Sequence, residues 1–212
     1  MKTDYILPEM NKYVAGVDEV ARGTFIGPVI AACVVLPSIF PDEKYKEIKD
    51  SKKLTEKKRD ELAKYIKNVS ITYGIGEVSH TEIDQINILN ATMKAMHRSI
   101  DVAYKKHKFD YIFVDGQHFK GYIPPGYDED IIEYECVLKG DTKYLNIAAA
   151  SILAKDYHTN LIKELIINNP NLSLYEIDKN KGYGTKKHHE ALVKYGITEY
   201  HRKTFGICKQ LS

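Results

Sequence analysis

The chain has 212 residues, 43% of them hydrophobic, which is enough to bury one core and too little for a second full domain. Formal net charge is +2, yet eight Lys or Arg face two Glu from Lys179 onward, a local +6 that leaves −4 for the rest; the split fits a basic arm that follows phosphates beside an acidic centre that holds cations, and a solvated face has the same composition. No apolar run approaches the roughly 20 residues of a membrane span, and the residues before Val14 hold no apolar stretch of signal type, so a cytoplasmic protein without a membrane partner is expected.

Residues 13–20 and 28–36 are short β-branched apolar runs separated by Gly23 and Gly27, which predicts neighbouring strands joined by a tight turn. Residues 37–50 read as a polar loop. Thr55 is placed to cap a helix running to about Lys67, with Leu62, Tyr65 and Ile66 inward. Residues 70–78 alternate as a third strand. Ser79 and Glu82 have capping-box spacing, and Ile83, Ile86, Leu89 or Asn90, Met93, Met96 and Ile100 follow at helical intervals. Residues 111–114, ending at Asp115-Gly116, have the unbroken apolar character of a buried parallel strand. A proline-containing loop over 121–126 precedes a further strand within 131–138. A long helix runs from Asn146 to about Asn168, where Ala148-Ala149-Ala150 permits close packing and Pro170 stops it. A last helix begins near Lys186 and ends at Gly196. This order predicts an α/β domain, a mixed sheet flanked by helices, with residues 160–212 as a helical C-terminal extension.

Four acids stand where acids are costly. Asp18 and Glu19 end the first strand, Asp115 ends the strand at 111–114, and Asp141 follows the apolar run Val137-Leu138. Carboxylates at the ends of buried strands lose hydration and repel one another, and divalent cations relieve both penalties. Magnesium takes a few carboxylates together with phosphate oxygens and water, and two such ions suit phosphodiester cleavage. Successive strand residues point to opposite faces, so Asp18 and Glu19 share a site only where the strand bends or ends. Taken singly, each acid also reads as a turn former or helix cap, and spacing alone does not bring the four together.

A resemblance supplies that convergence. The stretch Ala15-Gly16-Val17-Asp18-Glu19-Val20-Ala21-Arg22-Gly23, followed by Gly27-Pro28-Val29, resembles the signature of the type 2 ribonucleases H. The likeness continues through Asp50-Ser51-Lys52-Lys53-Leu54, Val114-Asp115-Gly116, Lys139-Gly140-Asp141, the segment from Ile147 to Lys155, Gly182-Tyr183-Gly184-Thr185 and His201-Arg202-Lys203-Thr204-Phe205, in the family's order. It implies the ribonuclease H fold, with C-terminal helices completing the substrate groove. It implies an endonuclease that cuts the RNA strand of RNA/DNA hybrids, and ribonucleotides embedded in duplex DNA, as a monomer. Asp18, Glu19, Asp115 and Asp141 would bind two Mg²⁺ or Mn²⁺ ions, and the products would carry 5′-phosphate and 3′-hydroxyl ends. Ala21, Arg22 and Gly23 would lie where the family contacts the 2′-hydroxyl and adjacent phosphates. Tyr183 would take the place of the tyrosine that packs on the sugar beyond an RNA-to-DNA junction. The family's signature has glycine where this chain has Ala21. After Lys155 the family commonly runs on to Arg-Asp, whereas this chain has Asp156-Tyr157-His158-Thr159, a change expected to alter a salt bridge or helix packing.

Further candidates come from charge. Lys52 and Lys53 precede the first helix and could touch phosphates or flank a solvated helix. Lys186, Lys187, His188 and His189 follow Tyr183 and read as a phosphate-facing patch. Asp128-Glu129-Asp130 with Glu133 reads as a solvated acidic loop. The cysteines, Cys33, Cys136 and Cys208, have no paired spacing and are expected as reduced thiols. A type 3 ribonuclease H would normally carry an N-terminal substrate-binding domain, and about a dozen residues precede Val14 here. A silent hybrid-binding module would need a lesion, for which Ala21 is the candidate. Nucleotide hydrolases are disfavoured because no GxxxxGK[ST] loop occurs.

Overall fold

A computed structural model describes residues 13–126 and 131–212, so Asp128, Glu129 and Asp130 lie outside the described residues. Five strands form one sheet: β1 (Val14–Val20), β2 (Val29–Val35), β3 (Thr72–Val78), β4 (Tyr111–Asp115) and β5 (Glu133–Val137), in the order β3-β2-β1-β4-β5. The first three pair antiparallel, and β4 runs parallel to both β1 and β5. The sheet is therefore mixed, as expected. The helices are α1 (Glu56–Val69), α2 (His80–Lys106), α3 (Leu145–Asn168), α4 (Ile177–Asn180), α5 (Lys186–Tyr195) and α6 (Cys208–Leu211).

Alternation along the strands feeds two cores. Val29, Ala31, Cys33 and Val35 of β2 join Ala15 and Val17 of β1 beneath α2, while Ile30, Ala32 and Val34 face α1 and α3. Strand β2 is buried at every position because helices cover both faces. A third cluster gathers the C-terminal elements around Ile26, with Ile162, Leu172, Tyr175, Ile177, Leu192 and Cys208. Residue 160 falls inside α3, so the helix that covers the sheet also roots the C-terminal cluster. No helix among the described residues is long and apolar enough to cross a membrane. The three cysteines are unpaired, and Cys33 and Cys208 are buried.

Two helices lie on the sheet at backbone contact. A Cβ added to Gly16 would stand 2.3 Å from the carbonyl carbon of Asn146 in α3, and one on Gly74 would stand 2.1 Å from the Ser99 oxygen in α2. Only glycine permits either approach.

Several local expectations change in the folded chain. The link from β1 to β2 is an eight-residue connection in place of a tight turn, and isolated bridges pair its Thr24 with Tyr183 and its Ile26 with His201. Partners far along the chain thus satisfy its backbone. Helix α2 continues to Lys106 but breaks at Asn87, where φ is 65°, and the Asn87 side chain accepts from the Asn90 N–H at 3.1 Å. With ψ at 165° this is a conformation costly for any side chain, and the Asn87 amide offsets part of the strain by re-capping the second half. The inward stripe shifts there, so Leu89 is 42% exposed while Ala91, Ala95, Met96 and Ile100 are buried. Only half of the capping box forms: the Ser79 hydroxyl accepts from the Glu82 N–H at 3.1 Å, but the Glu82 carboxylate is taken by Arg98 at 2.9 Å. Asp156 sits 4.0 Å from Lys67 and links α3 to α1.

The contact at Gly16 gives a direct test. Gly16→Ala forces a methyl into the α3 backbone, so strand and helix must part, at a cost of about 3 kcal/mol. Urea unfolding should show that loss, and an unchanged midpoint would mean that α3 can shift freely on β1.

Candidate active site

Strand pairing brings two of the acids together. Val17 pairs with Val114 across parallel β1 and β4, so the next residues, Asp18 and Asp115, emerge side by side at the same edge of the sheet. Asp115 pairs with Val137 of β5, and the chain then turns through Lys139, whose φ is 53°, to deliver Asp141. The Asp115 carboxylate accepts from the Gly140 N–H at 2.6 Å and, at longer range, from the Asp141 N–H at 3.4 Å. Glu19 projects from the last turn of β1 into the same cavity of about 220 Å³, whose lining also includes Ala21, Arg22, Gly23, Lys52, Lys155 and Tyr183. The strand ends one residue later, which resolves the conflict of faces between Asp18 and Glu19.

The electrostatics are those of crowded, dehydrated acids. Burial raises the Asp18 carboxyl well above its ordinary range, and the charges of Glu19 and Asp115 push the same way. Glu19 is raised chiefly by burial, against the pull of Arg22, whose guanidinium lies 3.2 Å away. Burial and then Asp141 raise Asp115. Two cations answer these charges. Lys52 reaches Asp141 at 3.5 Å, and that carboxylate holds the lysine above its ordinary value. Lys155, depressed by burial, donates to Ser51 Oγ, which lies 2.8 Å from Ser151 Oγ, and Ser151 in turn hydrogen-bonds Asp18.

This all-oxygen donor set fits hard divalent ions. Among the described residues no three His, Cys, Asp or Glu side chains are grouped to hold one ion. Carboxylates that bind singly or in pairs, with phosphate oxygens and water completing the shell, match what Mg²⁺ accepts.

One wall of the cavity is the connection after β1. Ala21 is buried with φ at 65°, the region where glycine is at ease and alanine is strained by about 1 kcal/mol. Arg202 holds this conformation. Its fully buried guanidinium donates to the carbonyls of Ala21 at 2.8 Å, Arg22 at 2.9 Å and Gly27 at 2.9 Å. No carboxylate among the described residues forms an ion pair with it, and burial brings it down to about 10. Tyr183, 42% exposed, stands against this loop, and its phenol takes a hydrogen bond from the Ala21 backbone.

Two expected residues lie away from this cavity lining. The Lys53 side chain is 73% exposed and pairs with Asp50 at 3.6 Å. Lys186 is 90% exposed and leans toward Glu190 at 3.8 Å. His188 corrects the phosphate-facing patch, because it is fully buried between aromatic rings. The basic arm is also partly neutralised, since Lys179 and Lys187 pair with Glu176, and Lys181 with Glu56. Lys155, Ser51, Ser151 and Arg202 were not singled out from sequence. Three of them are ordinary polar residues whose partners lie about a hundred positions away; Arg202 sits in a basic stretch that reads as surface.

The raised Asp18 makes a testable difference to stability. The folded chain binds its proton more tightly than the unfolded chain does, so stability falls as pH rises from the ordinary value of 3.8 through the raised one. At neutral pH the ionised group is then a standing penalty. Metal-free Asp18→Asn should melt above the parent at neutral pH, by roughly 2–4 °C per kcal/mol relieved. The gap should close in acid, and Mg²⁺ should raise the parent's Tm more than the variant's. A variant that melts below the parent at neutral pH would show the charge to be stabilising.

Comparison with known proteins agrees with this geometry. The ribonuclease HII family model matches residues 15–208. Ribonuclease HII of Christiangramia forsetii is 47% identical over 194 residues, covering 92% of this chain and 90% of that protein. Ribonuclease HII of Caldanaerobacter subterraneus subsp. tengcongensis is 48% identical, covering 91% and 73% respectively. Among solved structures, the ribonuclease H2 of Pyrococcus horikoshii superposes with a TM-score of 0.71 at 23% identity, covering 93% of this chain and 96% of its own. A chain of the PCNA:RNase HII complex from Archaeoglobus fulgidus gives 0.67 at 24% identity, covering 92% and 95%. At such identities these structures speak for the fold, a mixed sheet flanked by helices of the ribonuclease H type. With the signature residues lining one cavity and the family's match running from β1 to the last helix, the chain belongs to the ribonuclease HII family.

Proposed function

We propose that this enzyme cuts the RNA strand of RNA/DNA hybrids, and ribonucleotides embedded in duplex DNA, as a two-metal endonuclease leaving 5′-phosphate and 3′-hydroxyl ends. The observation that carries the reading is the meeting of Asp18, Glu19, Asp115 and Asp141 in one cavity with the Ala21–Gly23 backbone and Tyr183. Relatives named ribonuclease HII share nearly half of its residues. When bound, Mg²⁺ or Mn²⁺ would supply Lewis acidity at the scissile phosphate and offset the clustered carboxylates.

The chain's own residues divide the remaining work. The acids would hold the ions, and Asp115 is kept in place by the Gly140 N–H. Lys52, beside Asp141, stands where a cation would meet a phosphate oxygen of the substrate. The Ala21 and Arg22 carbonyls turn inward to Arg202, so the other side of that loop faces the cavity and reads the 2′-hydroxyl. The exposed Tyr183 ring packs on the sugar past an RNA-to-DNA junction and disfavours an extra hydroxyl there. Lys53 and Lys186, on the outer surface, would contribute at most long-range attraction to the phosphate backbone.

Labelled hybrid cleaved with Mg²⁺ and spared with chelator tests the central claim. Asp18→Asn, Asp115→Asn and Asp141→Asn should each abolish nearly all cutting while hybrid affinity changes by less than about ten-fold, because the basic surface remains. Undiminished cutting in chelator would overturn the metal mechanism.

The left-handed Ala21 makes a finer prediction. Relief of strain of about 1 kcal/mol corresponds to roughly five-fold in a conformational preference. Ala21→Gly should therefore raise single-ribonucleotide incision relative to long-hybrid cleavage by up to about five-fold, with metal dependence unchanged. A flat or lower ratio would show that the loop has already adapted to alanine.

A further inference from the structure

Tyr183 is held from behind by a pair of histidines that the chemistry above does not use. His188 and His201 are both fully buried, with ring centroids 5.5 Å apart. Their contacts form a line. The Thr198 N–H lies 2.9 Å and the Thr198 hydroxyl oxygen 2.8 Å from His201 Nδ1, His201 Nε2 lies 3.2 Å from His188 Nε2, and His188 Nδ1 lies 3.1 Å from the Tyr183 carbonyl oxygen, which also accepts from the Thr185 N–H at 2.8 Å.

The two ends of this line dictate the protons between them. A peptide N–H can only donate, and the Thr198 hydroxyl can turn to donate beside it, so His201 Nδ1 carries a lone pair and its proton sits on Nε2. That proton needs an acceptor, so His188 Nε2 is bare and the second proton sits on Nδ1. A carbonyl oxygen can only accept, and the Tyr183 oxygen receives that last proton. Two neutral imidazoles between a fixed donor and a fixed acceptor have one arrangement that satisfies every contact. An added proton would set two N–H groups against each other across 3.2 Å.

We propose that His188 and His201 are positioning residues, locked as the Nδ1–H and Nε2–H tautomers respectively, that fix the Tyr183 backbone and thereby set how the enzyme ranks single-ribonucleotide junctions against long hybrids. The specificity part rests on the reading of Tyr183 as the residue that packs on the sugar. Three further observations support the couple. Burial holds His201 down to about 4 and lowers His188 as well, with the neighbouring His80 and His189 acting in the same direction, so both rings are neutral at neutral pH. Tyr183 also pairs with Thr24, and the adjacent Gly182 carbonyl accepts from the Phe25 N–H at 2.8 Å, so a displaced Tyr183 backbone moves relative to the recognition loop. Arg202, next to His201, grips the Ala21 and Arg22 carbonyls. The dipeptide His201-Arg202 thus reaches both the recognition loop and, through His188, Tyr183.

Long-range ¹H–¹⁵N spectra of the labelled full chain at neutral pH test the tautomers without reference to activity. The expected result is His188 neutral and protonated on Nδ1, with His201 neutral and protonated on Nε2. A charged ring, or His188 protonated on Nε2, would overturn the proposal. Cleavage ratios test the consequence. In His188→Asn the amide nitrogen stands near the place of Nδ1, so the donor to Tyr183 is kept and the junction-to-hybrid ratio should stay near the parent's. In His188→Leu the side-chain donor is gone and the Tyr183 carbonyl keeps only the Thr185 N–H, so the ratio should fall, by up to about five-fold, with long-hybrid turnover little changed. Tyr183→Ala is measured alongside. If it lowers the ratio and His188→Leu does not, the positioning role is wrong. If Tyr183→Ala leaves the ratio unchanged, the reading of Tyr183 fails and the specificity role falls with it, while the spectra still decide the tautomers. Should His188→Leu fail to fold, the spectra of the parent and the ratio in His188→Asn decide, and a lowered ratio in that folded variant counts against the proposal.

Discussion

Helix α3 rests on strand β1 through Gly16, where the helix backbone occupies the space of a missing side chain. Much else in the site follows from that contact. Two residues further along the same face of β1, Asp18 meets Ser151 of α3, and Lys155 one turn later completes the line through Ser51. A bulkier residue at position 16 would lift α3 and carry these partners away from the acid. The same helix runs on into the C-terminal cluster through Ile162, so one element couples the sheet, the acids and that cluster.

The second constraint is a buried charge that makes no ion pair among the described residues, Asp84 acting on it only at longer range. Arg202 is removed from water and compensated by three peptide carbonyls and the ring of Phe205, 5.0 Å from its guanidinium carbon. A bare guanidinium there would cost several kcal/mol, so the loop cannot leave these contacts cheaply. This explains how an alanine persists at a φ of 65° in the most sensitive part of the site. The surrounding structure over-determines the strain, with Asp84 of α2 fastening the backbone of Lys203 and Thr204 just beyond.

The acids illustrate the opposite economy. Asp18, Glu19 and Asp115 are all raised by burial, and their own neighbours add to it. Lys52 and Lys155 answer only part of that charge, and the basic C-terminal arm spends several of its lysines on surface pairs with Glu56, Glu176 and Glu190. A site so arranged is less stable empty than a neutral one would be, and it reserves its electrostatic gain for cations and a polyanion.

By itself the sequence determined the elements and the chemistry. Short apolar runs, one alternating segment and period-3.6 patterns located the five strands and the main helices, because burial on one face or two leaves that imprint locally. The acids were legible as carboxylates at strand ends, and the resemblance linked them into one set. Tertiary structure decided what depends on distant partners. The link after β1 looked like a tight turn because its glycines are local, whereas the bridges that shape it come from Tyr183 and His201. Asn87 breaks α2 and turns Leu89 outward, and its side chain re-caps the next turn at a backbone geometry that no local pattern announces. His188 sat in a basic run and read as surface, yet its place is fixed by a ring thirteen residues away and a carbonyl five residues back. Arg202 is one charge in the basic C-terminal stretch; that it faces inward depends on carbonyls about 180 positions earlier, and no local pattern encodes their approach.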